Sequence, residues 1–172
     1  MVARIALWTL LSSAFVCSCS PPKSVDMKKS AGPENFDGDA VLSRIASLAE
    51  SNELPVSFTI VPSSSDSSVI VTEQSNGKSL GSRTMDMEPT THGSAWAGEG
   101  WRSRCNAEQL AMLTKGLRSI VARKVGQVYF ISVVVAEKFV NVAVRYSPPK
   151  PGAHKTFVID QSGSIVRIIG GR

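Results

Sequence analysis

The sequence predicts an α+β fold, a helix packed on a curved antiparallel β-meander and preceded by a smaller helix-plus-strands segment. Three observations carry that expectation. Leu110, Leu113, Leu117, Ile120 and Val121 recur at helical spacing and mark one apolar stripe. From Gln127 to Ile169 four runs rich in Val, Ile and Phe follow one another with short connections, which favours antiparallel pairing. The chain has 172 residues, 42% of them hydrophobic, enough for one packed domain plus appendages.

The N-terminus reads as an export signal over residues 1–18. Arg4 supplies the positive end, and Ile5 to Val16 an apolar run of about a dozen residues, too short for a bilayer that needs about 20. The run leads into Val16-Cys17-Ser18-Cys19, which resembles the bacterial lipobox. An aliphatic residue, a tolerant position and a small residue there precede the lipidated cysteine. Val16 and Ser18 fit, while Cys17 is an unusual occupant of the tolerant position. The resemblance implies cleavage after Ser18 and acylation of Cys19. Ordinary secretion would cut at the same bond and leave Cys19 bare. Ser20 after Cys19, in place of an Asp, implies the outer membrane by the enterobacterial sorting rule. With Cys17 removed and Cys19 acylated, Cys105 is the one free thiol, and no internal disulfide can form in that oxidising compartment.

Residues 19–36 read as a tether that lifts the domain off the membrane, holding Pro21, Pro22, Gly32, Pro33 and three lysines. Residues 37–172 form the domain. Asp37 or Asp39 caps a first helix carried by Val41, Leu42, Ile45, Leu48 and Ala49, which Asn52 and Pro55 end. Val56, Phe58 and Ile60 alternate with polar residues as a strand, Val69–Glu73 is a second, and Asn76-Gly77 suggests a further hairpin. From Met85 to Cys105 no periodicity survives, so this stretch reads as a long functional or packed loop. Asn106 and Gln109 have capping-box spacing at the start of the second helix, and Gly126 stops it. Strands are expected at Gln127–Ala136, Phe139–Tyr146, Lys155–Asp160 and Ser164–Ile169. This helix-then-meander order, with the ending Thr156–Val166, resembles the cystatin-like and nuclear-transport-factor-like folds of small secreted bacterial proteins, toxin-immunity lipoproteins among them.

The net charge of +5 falls by one when Arg4 leaves with the signal. The basic residues are scattered, with Lys28-Lys29 and Arg123-Lys124 the adjacent pairs, so a solvated surface is expected and a nucleic-acid partner is not. Gly98 and Gly100 form no phosphate loop, since neither a strand nor a Lys-Ser/Thr pair accompanies them.

Two chemical constellations stand out. Cys105, His154 and Asp160 occur in the chain order of papain-like cell-wall peptidases, and a cysteine before a helix has its thiolate favoured by the helix dipole. The flanking residues of those enzymes are missing, and Cys105 equally suits a staple onto Leu110. Met85, Met87 and His92, with Trp96 nearby, resemble the Cu(I) sites of periplasmic copper carriers, thioether and imidazole being suitable ligands. Methionines filling gaps against the sheet are the plainer account, and no cofactor is expected.

The reading that results is a lipid-anchored, periplasm-facing module that binds a protein partner and catalyses nothing, of the immunity, inhibitor or envelope-assembly type. The alternatives are a Cu(I) carrier using Met85, Met87 and His92, and a thiol hydrolase using Cys105 and His154. Trp96 and Trp101 lie in the glycine-bearing stretch Gly93–Trp101, the expected partner-binding surface. The competing fate of those rings is to fold back and cap the meander.

Overall fold

Alternation of apolar and polar residues builds most of the molecule. The computed structural model describes residues 35–50, 54–64, 67–88, 96–97, 100–146 and 153–170. Their elements are β1 (Phe36–Asp37), α1 (Gly38–Ala49), β2 (Ser57–Pro62), β3 (Ser68–Ser75), β4 (Lys78–Asp86), β5 (Trp96–Ala97), α2 (Ala107–Val121), β6 (Gln127–Val135), β7 (Phe139–Tyr146), β8 (His154–Asp160) and β9 (Ile165–Ile169). All the strands join one sheet in the order β5-β4-β3-β2-β6-β7-β8-β9, with every pairing antiparallel. The short β1 shares with β2 one side of β6.

The expected fold class is therefore corrected. Nearly half of the described residues lie in strand, and the two helices are short, so the fold is dominated by its sheet rather than by a helix packed on a meander. The cause is a long-range pairing. Phe58 lies opposite Val133, and Ile60 opposite Ile131, so β2 docks on β6 and fuses the N-terminal strands to the C-terminal ones. No separate helix-plus-strands segment remains among the described residues. The stretch expected to be a loop also contributes, since β4 runs through Met85 to Asp86 and Met85 pairs with Trp96 of β5.

Period-2 patterning sorts the sheet into two faces. Phe58, Val133, Val142 and Phe157 stand in one cross-strand row, all buried, and Val71, Ile60, Ile131 and Val144 form the next. Both helices pack on this face. Gly116 of α2 lets the helix come close to the sheet, because a β-carbon there would lie 2.4 Å from Ile159 Cδ1 on β8. The opposite face carries Thr72, Thr59, Ser132, Ala143 and Thr156, a row of polar and small side chains.

The ends of the helices follow capping rules. Asp37 Oδ1 accepts from the Asp39 and Ala40 N–H groups, and the Asn106–Gln109 capping box is closed in both directions at 2.9 Å. Asp39 then accepts from the Val125 and Gly126 N–H groups, which ties α1 to the turn leading into β6. Asn76 and Gly77 take φ of 50° and 74°, the left-handed pair that a tight hairpin between β3 and β4 requires.

Candidate functional site

The sequence places Cys105 immediately before the α2 cap, and the structure buries it there. Its N–H donates to the Leu54 carbonyl at 3.0 Å, and its Sγ–H to the Pro55 carbonyl at 3.4 Å. Burial pushes the thiol up to about 11, the opposite of what a nucleophile needs. His154 and Asp160 occupy opposite ends of β8, roughly 20 Å apart for a strand of this length. His154 is exposed and faces Arg145 across the strand pair. Asp160 Oδ1 accepts from the Ser162 hydroxyl, the Ser162 N–H and the Ser164 N–H, so it belongs to the β8–β9 turn. The Ser162 hydroxyl and the turn N–H groups hold its carboxyl below the usual range. The three residues are not brought together.

The copper constellation divides in a similar way. Met85 is fully buried in the core and Met87 packs partly against it, while His92 lies outside the described residues. Among the described residues no group of three or more His, Cys, Asp or Glu side chains could hold a metal. Cys19, the proposed lipid attachment point, also lies outside the described residues, and no described helix is long and apolar enough to cross a membrane.

Of the two tryptophans proposed for the binding surface, Trp96 lies on β5 with its backbone paired to Met85. Trp101 is only 8% exposed, and the Arg83 guanidinium sits 4.3 Å from its ring centroid, within cation–π range. Of the two fates left open by the sequence, Trp101 takes the buried one.

Below that stack lies a residue that sequence reasoning passed over. Glu73 is 2% exposed, and its carboxylate accepts from the Arg102 N–H at 3.0 Å, the Ser103 N–H at 2.7 Å and the Ser103 hydroxyl at 2.6 Å. Desolvation pushes its pKa up, but the Ser103 hydroxyl, the two backbone N–H groups and the charge of Arg102 outweigh it and hold the group below its ordinary value. The buried anion pins residues 102–103 to β3. A signal existed, because Glu73 is in phase with Val69 and Val71 on the core-facing side of its strand.

Two further surfaces bear on whether the chain binds a protein partner. A groove of about 590 Å³ runs between the start of α1 and the ends of β2 and β3, lined by Phe36, Asp37, Val41, Ser68 and Met87 among others. The Asp37 carboxylate there is engaged in capping α1, and the other polar residues of the lining, Asn35, Ser63, Ser68 and Gln127, are uncharged. The other surface is β9. Among the described residues no strand pairs with its outer edge, and Val166, Ile168 and Ile169 are 60%, 46% and 45% exposed. The opposite end of the sheet is finished differently, by the two-residue β5.

Comparison with protein-family models, with curated proteins and with solved structures finds no match for this chain.

Proposed function

We propose that this chain is a lipid-anchored, periplasm-facing module of the bacterial envelope that binds a protein partner and catalyses no reaction, of the immunity, inhibitor or envelope-assembly type. The observation that supports it best is the state of β9. Sheet edges are a hazard for pairing with other chains, and proteins usually blunt them with charges, prolines or bulges that turn the edge away. Ile165-Val166-Arg167-Ile168-Ile169 has one charge and no proline, and three of its four apolar side chains, Val166, Ile168 and Ile169, are exposed. Its one irregularity is a bulge at Val166, the extra residue between Arg167 opposite Val158 and Ile165 opposite Ile159, and among the described residues no strand covers the outer edge.

The occupant we assign to this edge is an extended segment of a protein partner that adds a strand to the sheet. Backbone hydrogen bonds would supply affinity, and the apolar side chains specificity. Self-pairing is a poorer fit, because a two-fold register centred on Arg167 sets like charges opposite each other. The buried thiol does not favour a hydrolase, nor does the buried Met85 thioether favour a copper carrier.

A photo-crosslinking side chain at Val166 of the full-length protein in its cells tests this. We expect one discrete heterologous adduct, lost when Ile168→Lys is added while the circular dichroism of the domain is unchanged. Adducts only with a second copy, or an adduct unaffected by Ile168→Lys, would overturn the assignment.

A further inference from the structure

At the other end of the strand order from β9, the described residues gather more positive charge than their carboxylates balance. A cavity of about 260 Å³ is lined by Glu73, Ser82, Arg83, Gly100, Trp101 and Arg102, among others. Among the described residues of that lining the only carboxylate is Glu73, and it is already engaged by residues 102–103. Arg83 is held by its stack on Trp101, and its Nη2 is buried without a hydrogen-bond partner. A buried guanidinium N–H left unmatched is costly, and native proteins rarely keep one without a reason.

A second guanidinium comes to the same place. A β-carbon built on Gly100 would meet Arg104 Nη2 at 3.3 Å and Arg83 Nη2 at 3.9 Å. Two like charges thus converge on a residue that has no side chain. We propose that Arg83 and Arg104, meeting over Gly100 beside the Trp101 ring, form a binding site for a phosphate-type oxyanion. Arg83 is the fixed half of the clamp. Arg104 is exposed, so its side chain can swing off Gly100 to admit the anion and then close on it. Guanidinium groups suit phosphate oxygens because their N–H donors pair with them two at a time. Among the described residues, Arg83, Arg102 and Arg104 stand against the ionised Glu73, an excess of positive charge that fits a dianion better than a single carboxylate. This site is independent of the partner surface on β9.

The phosphate could be free or belong to a phospholipid headgroup, and the experiment separates these sources. The full mature chain carrying Cys19→Ala, so that no acyl group contributes, is titrated with inorganic phosphate at constant ionic strength. Tryptophan emission and calorimetry report binding. Vesicles of phosphatidylcholine with and without phosphatidylglycerol form the second arm. We expect saturable binding in at least one arm, weakened about tenfold or more by Arg104→Gln, the effect of losing one hydrogen bond to a charged group. Gly100→Ala should weaken it as well, by pushing the Arg104 guanidinium aside. Arg104 is exposed, so its variant keeps the wild-type unfolding midpoint and reports on the site alone. Binding confined to phosphatidylglycerol vesicles and lost in Arg104→Gln makes the headgroup the ligand. No saturable binding in either arm, or equal binding by wild type and Arg104→Gln, overturns the proposal.

Discussion

Glu73 has three hydrogen-bond donors from residues 102–103 on its carboxylate, and its ionisation is therefore linked to folding. Its folded-state pKa is lowered, chiefly because the Ser103 hydroxyl and the backbone donors outweigh the opposing cost of burial. A lowered carboxylate pKa gives stability that is fully present above the unfolded value and is lost as the pH falls through the folded one. We therefore expect Glu73→Gln to cost about 1.5–3 kcal/mol at neutral pH, the range for hydrogen bonds to a charged group. The penalty should shrink below about pH 4, where the wild-type carboxylate in the unfolded chain is itself protonated. Urea unfolding at pH 7, 5 and 3 measures both effects. Parallel acid limbs for wild type and variant would rule the linkage out. An isolated glutamate in a strand ordinarily reads as solvent-facing, and that is why the sequence concealed this one. Its donors come from residues about 30 positions further along the chain, a separation that no local pattern encodes.

At the scale of elements, legibility followed locality. The helices are visible because caps and apolar spacing lie within a few residues of one another, as Asn106 and Gln109 do. Strands β6 to β9 are visible because Val, Ile and Phe alternate inside each. Strand β4 has no such pattern: Lys78, Ser79, Gly81, Ser82 and Thr84 are polar or small, and only its pairing with β3 makes it a strand. The pairing of β2 with β6 joins residues more than 70 positions apart, and it is what turns an expected meander into one long sheet. The contact of α2 with β8 is equally invisible in the sequence, because Gly116 inside a helix looks like a simple loss of propensity. In the fold, Gly116 is where the helix backbone meets Ile159. Gly116→Ala should therefore destabilise by about 1–3 kcal/mol through overpacking, although alanine is the better helix former. Thermal unfolding of Gly116→Ala, alone and with Ile159→Val to remove the Cδ1 part of the clash, checks this. A more stable single variant would show that the helix yields freely.

At the scale of the whole molecule, the disposition of the cysteines bears on the proposed export to an oxidising compartment. Cys105 is buried, its pKa is raised to about 11, and its Sγ–H is engaged with the Pro55 carbonyl, so it offers little thiolate for mixed disulfides. That leaves Cys19 as the cysteine whose position asks for a chemical role, and the lipobox resemblance of Val16-Cys17-Ser18-Cys19 gives it one. A single acyl chain binds membranes only marginally, whereas several chains on one cysteine hold a protein there stably. No described helix is long and apolar enough to cross a membrane. If the anchor is covalent lipid on Cys19, wild type should sediment with membranes and carry acyl mass on that residue. Cys19→Ala should then either accumulate as unprocessed precursor or appear soluble in the periplasm. Because residue 19 lies far in sequence from the first described element at Phe36, the soluble form should unfold at the wild-type midpoint. Membrane fractionation, intact-mass measurement and thermal unfolding of the two proteins are sufficient. Cys19→Ala sedimenting as wild type does, with no acyl mass on wild-type Cys19, would reduce the N-terminus to a plain secretion signal and leave the β9 surface to find its partner without a membrane to confine it.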